Sequence, residues 1–143
     1  MIHHVVRSGL AGLLLLGAST AVRAEIVTFA NALSGTSEVP PNTSPGKGEI
    51  KAQYDTATRT LTWLGTYVGL TGPVTAAHFH GPAGPGGNAG VMVPAPAGES
   101  PFSGSAVLTD AQAAELTAGR VYFNLHTAAH PGGELRGQMT KAP

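Results

Sequence analysis

From Glu25 onward, apolar and polar residues alternate in short runs that glycine and proline repeatedly interrupt. A period of two sends successive side chains to opposite faces of an extended chain, so each run reads as a strand with one buried face. Ile26-Val27-Thr28-Phe29-Ala30 opens the first, and the turn-rich Ser34-Gly35-Thr36 closes it. In Gly48 to Tyr54, residues Ile50, Ala52 and Tyr54 share a face. After the turn Asp55 to Arg59, the run Thr60 to Val68 sets Leu61, Trp63 and Tyr67 on one side, which predicts a hairpin with Trp63 and Tyr67 in the core. Val74 to His80, Gly90 to Val93, Gly104 to Leu108, Arg120 to Thr127 and Glu134 to Thr140 bring the count to seven or eight strands. Among 143 residues, 20 glycines and 11 prolines supply the turns. Glu38 to Gly46 carries three prolines and Gly81 to Gly90 is rich in both residues, so both read as loops. One helix is expected, Ala111 to Ala118, started by a capping box of Thr109 and Gln112 and stopped by Gly119. The pattern predicts an all-β fold, an antiparallel sandwich or Greek-key barrel with one short helix.

Residues 1–24 read as an export signal rather than as structure. His3, His4 and Arg7 precede the apolar run Leu10 to Ala18, and Val22-Arg23-Ala24 offers a cleavage site. The apolar run is about half of the roughly 20 residues a membrane-spanning helix needs, and no later stretch is apolar enough to span. Cleavage leaves residues 25–143 as a single β domain, periplasmic or secreted. It has six basic against eight acidic residues, a net charge of −2. A chain with 11% charged residues and no basic face is not built for nucleic acid. The absence of cysteine excludes disulfides, thiolate metal sites and cysteine nucleophiles.

Four histidines remain after residue 24, all in two short segments: His78, His80, His126 and His130. On a strand, His78 and His80 project from one face roughly 7 Å apart at the backbone, with Phe79 on the other. In Val121 to His126, the apolar Val121, Phe123 and Leu125 oppose the polar Tyr122, Asn124 and His126. Glu134, Arg136 and Gln138 then share a face of the closing strand. If these polar faces adjoin, up to four imidazoles converge. An all-nitrogen set suits copper, iron or zinc, with Glu134 and Asn124 as candidates for the shell behind the ligands. The plain alternatives are solvated histidines near a strand end and a surface Glu134–Arg136 pair. Other chemistries fail on geometry. Thr127 faces away from His126, Glu134 has no acidic neighbour, and Gly84-Pro85-Gly86-Gly87 lacks the lysine and helix of a phosphate cradle.

Leu33-Ser34-Gly35 with Glu38-Val39-Pro40-Pro41, Ala76-Ala77-His78-Phe79-His80-Gly81, Tyr122-Phe123-Asn124-Leu125-His126-Thr127 and Pro131-Gly132-Gly133-Glu134-Leu135-Arg136-Gly137-Gln138 resemble the CHRD (chordin-type) domain. Leu108 to Gln112 and Leu116 to Gly119 fit the same pattern, so the resemblance runs from Phe29 to Met139. It implies an immunoglobulin-like β-barrel with limited similarity to copper–zinc superoxide dismutases, in which His78-Phe79-His80 is similar to the strand that supplies copper ligands. The chain departs from those enzymes in having no cysteine pair, no zinc-binding loop and no bridging histidine. Three readings follow. The first is an exported metal-binding domain holding its ion through His78, His80, His126 and His130. The second is a dismutase-like redox enzyme in which Arg136 guides the anion. The third is a non-catalytic module for a protein partner, as the kinship with chordin suggests, in which the histidines bond to carbonyls of the Gly81–Gly90 loop.

Overall fold

A computed structural model describes residues 23–96 and 98–143, so the expected leader lies outside the described residues except for its last two positions. Eight strands and one α-helix form among the described residues: β1 (Ile26–Ser34), β2 (Lys47–Asp55), β3 (Thr60–Val68), β4 (Val74–His80), β5 (Val91–Ala95), β6 (Phe102–Val107), α1 (Asp110–Thr117), β7 (Tyr122–Thr127) and β8 (Leu135–Gln138). The closing strand is shorter than expected, and beyond it Lys141 makes an isolated bridge to Phe29.

All eight strands join one antiparallel sheet in the order β5-β4-β7-β8-β1-β2-β3-β6, curled into a nearly closed barrel. β1, β2 and β3 form a meander; the expected hairpin pairs Lys47 with Val68 at one end and Asp55 with Thr60 at the other. The chain then crosses to β4, whose partner is β7 rather than β3, and the β7–β8 hairpin closes onto β1 where Ser34 meets Arg136. This crossing makes residues 78–80 and 122–126 neighbours.

Alternation sorts the side chains as the sequence implies. Phe29, Ile50, Leu61, Trp63, Phe79, Phe123 and Leu135 are buried in the barrel core. Phe79 meets Trp63 and Phe123 edge-on at 5.1 and 4.9 Å between ring centres. Burying a phenylalanine of this kind contributes about 2–3 kcal/mol, and it fixes β4 with both of its histidines on the outer face. At Gly104 the backbone passes so close to the Trp63 ring that a Cβ would collide with it. Helix α1 starts with the expected capping box: Thr109 Oγ1 accepts from Gln112 N, while Gln112 Oε1 accepts from Thr109 N. Ala113 and Leu116 face the core, and Gln112 Nε2 donates to the Met92 carbonyl of β5, tying the helix to the sheet edge.

Candidate metal centre

The register of β4 against β7 sets Ala76 opposite His126, His78 opposite Asn124 and His80 opposite Tyr122. His126 is therefore the diagonal neighbour of His78 on the same face, close enough for long side chains to meet. His78 Nδ1 lies 3.1 Å from His126 Nε2. The ring centres are 5.0 Å apart for His78–His126, 5.3 Å for His78–His80 and 6.0 Å for His80–His126. One nitrogen from each ring lies within 4.8 Å of the other two. Three nitrogens on a tetrahedral ion with bonds near 2.0–2.1 Å sit about 3.3 Å apart. The His78–His126 pair, at 3.1 Å, is already close to that separation.

Backbone carbonyls fix two of the three rings. His80 Nδ1 is 3.0 Å from the Ala89 carbonyl and His126 Nδ1 is 2.8 Å from that of Pro131. A carbonyl only accepts, so each of these nitrogens carries the proton and leaves the lone pair of a neutral ring on Nε2. The His80 Nε2 is buried and has no hydrogen-bond partner. Burial pushes the imidazolium forms of His78 and His80 to lower pKa, and the neighbouring rings push the same way. The Ala89 carbonyl opposes that shift at His80 without reversing it. With its proton on Nδ1, His126 accepts at Nε2 from His78 Nδ1–H, and neutral imidazoles of this kind are what a transition metal takes as ligands once that proton is displaced.

The family model described as CHRD domain matches residues 29–139. The chain belongs to the CHRD domain family. No curated protein and no solved structure matches it. The matched range is the one over which the sequence motifs resemble the family.

Of the four histidines expected to converge, three do. His130 stands apart, because the chain turns tightly after β7: Thr127 N donates to the His130 carbonyl, as does Gly133 N. His130 lines an open surface pocket with Glu38, Pro40 and Pro131 and is not among the three histidines whose nitrogens come together. Glu134 is not behind the histidines either. Its carboxylate is fully buried and accepts from Ser44 Oγ at 2.6 Å, Thr71 N at 2.8 Å and Thr127 Oγ1 at 2.6 Å, joining three segments of the CHRD domain. These donors hold its carboxyl below the usual glutamate range against the opposing effect of burial. Asn124 stands opposite His78 in the sheet, buried, with no hydrogen-bond partner on its Oδ1.

Arg136, expected either as an anion guide or in a surface pair with Glu134, is buried under the Tyr122 ring with its guanidinium carbon 3.4 Å from the ring centre and makes no ion pair with Glu134. Its donors are spent on the Gly87 carbonyl at 2.6 Å, Asn88 Oδ1 at 3.0 Å and, at a longer 3.4 Å, the Gly84 carbonyl. Tyr122 in turn stacks on His80, with the planes 5° apart. Sequence reading missed two participants, Glu38 and Tyr122. Glu38 lies in a proline-rich stretch with no period to show its direction. Tyr122 is marked only by sharing a face with Asn124 and His126.

Proposed function

We propose that this CHRD domain is an exported module that binds one transition-metal ion, zinc or copper(II), through His78, His80 and His126. The observation that carries this reading is the approach of the three ring nitrogens to within 4.8 Å, with His80 Nε2 buried and unpartnered. A buried lone pair with no protein donor in reach carries a desolvation cost that a metal ion would offset. Three protein ligands leave a fourth position for water or an external ligand. The carbonyls of Ala89 and Pro131 play the part that acceptors behind metal-bound histidines play elsewhere, fixing tautomer and ring direction. Export rests on the leader-like residues 1–24.

The test is a titration of chelator-stripped protein with zinc and with copper(II), followed by desalting and elemental analysis. Wild type is expected to retain one ion per chain and the His78→Ala/His126→Ala double variant none. Equal retention by both proteins, or none by wild type, overturns the reading. Sequencing the amino terminus of protein recovered from a secreting bacterial host tests export; a mature chain starting at Glu25 is the expected result, and an intact Met1 in the cytoplasm contradicts it.

A further inference from the structure

Gly81 to Gly90, between β4 and β5, is a ten-residue segment with little regular structure, yet it supplies the acceptor that orients His80. Such a segment holds a ring in place only if it is itself held. We propose that Arg136, Tyr122 and Asn88 position the metal site by locking this loop so that the Ala89 carbonyl sets the His80 ring. The proposal rests on the metal-binding reading above.

The lock has three parts. Arg136 draws in the loop from below through the Gly87 carbonyl and Asn88 Oδ1. Asn88 Nδ2 donates to the Val39 carbonyl at 2.9 Å, fastening the loop to the segment that follows β1. The Tyr122 hydroxyl meets both backbone groups of Ala89, accepting from its N–H and donating to its carbonyl, each at 3.2 Å. The same Tyr122 ring lies between the Arg136 guanidinium and the His80 imidazole. Arg136, Tyr122 and His80 thus form one stack, and the loop is bonded to all three members.

Arg136 is 2% exposed and makes no ion pair among the described residues. A buried guanidinium without a carboxylate in contact is costly unless its N–H groups find acceptors. Here those acceptors are loop groups, so the charge keeps the loop in place. A lysine cannot replace it, having neither the planar fork nor the flat face that lies against Tyr122.

Two mild variants test this without emptying the interior. Tyr122→Phe keeps the stack and removes the hydroxyl; Asn88→Ala changes an exposed residue and cuts both the Arg136 and Val39 links. Nitrogen-15 spectra of the metal-free proteins report the His80 tautomer. Wild type is expected to show Nδ1–H alone, and both variants a mixture of Nδ1–H and Nε2–H. With zinc, the dissociation constant of both variants should rise about 10–100-fold, while thermal midpoints and the Pro131-bonded His126 signals stay near wild type. A role confined to stability would lower the midpoints and leave the His80 tautomer unmixed. Unchanged His80 shifts and zinc affinity in both variants overturn the proposal. If wild type takes up no zinc, the metal reading fails, and the tautomer of the metal-free ring alone decides whether the loop is locked this way.

Discussion

Glu38→Gln isolates a buried carboxyl whose pKa is raised by burial. Glu38 is 6% exposed, its Oε1 has no partner, and burial pushes its pKa from 4.5 up to about 7 despite the opposing pull of Arg136 and Asn124. A carboxyl whose folded pKa is raised favours folding while protonated and loses that advantage as pH rises through the folded value. With 4.5 for the unfolded chain and about 7 for the folded one, ionisation costs under about 1 kcal/mol at pH 5 and about 3 kcal/mol at pH 8. Glutamine has the shape of the protonated acid and no charge to bury. Urea unfolding of both proteins in chelator at the two pH values is the assay, since every other titrating group cancels in the difference. The variant's advantage over wild type should grow by about 2–3 kcal/mol from pH 5 to pH 8. An advantage independent of pH would show that Glu38 is not held in a desolvated site, and the account of the outer face would be wrong.

Other consequences are as direct. Thr109→Ala removes the acceptor for Gln112 N and should cost about 1 kcal/mol in denaturant unfolding; no loss would mean the helix start is held by other contacts. Gly104→Ala drives a methyl into the Trp63 ring and should destabilise by about 1–3 kcal/mol, with the Trp63 fluorescence shifted. His78 and His80 have folded pKa values below the usual 6.5. Their contribution to stability is therefore full above pH 6.5 and lost as pH falls through the lowered values. Metal retention, which needs the same neutral rings, should fall over the same acid range. Retention that increases on acidification would contradict histidine ligation.

The residues differ in how openly they declare their places. Thr60–Val68 was legible to its ends because its alternation is unbroken and a polar turn precedes it. The capping box at Thr109 was legible because it is local, complete within four residues. His78 and His80 on one face followed from the strand period alone. That β4 pairs with β7 did not, because both flanking connections permit other partners and register is decided by the core beneath. His130 was misplaced by counting residues past a strand end, where a tight turn, not the strand, sets direction. For Arg136, alternation gave the face correctly, but exposure depends on a Gly- and Pro-rich loop whose path leaves no periodic trace. Glu38 shows the same limit: only the folded neighbours Asn124, Gly133 and Arg136 reveal its buried environment.

The central claim is that three imidazoles hold one ion, and X-ray absorption of the zinc-loaded protein reads the ligands without a crystal. The account predicts a first shell of nitrogen and oxygen at about 2.0–2.1 Å with multiple scattering from three imidazole rings, reduced to two rings in His80→Ala. A shell with one ring or none, or one unchanged by that substitution, would contradict it.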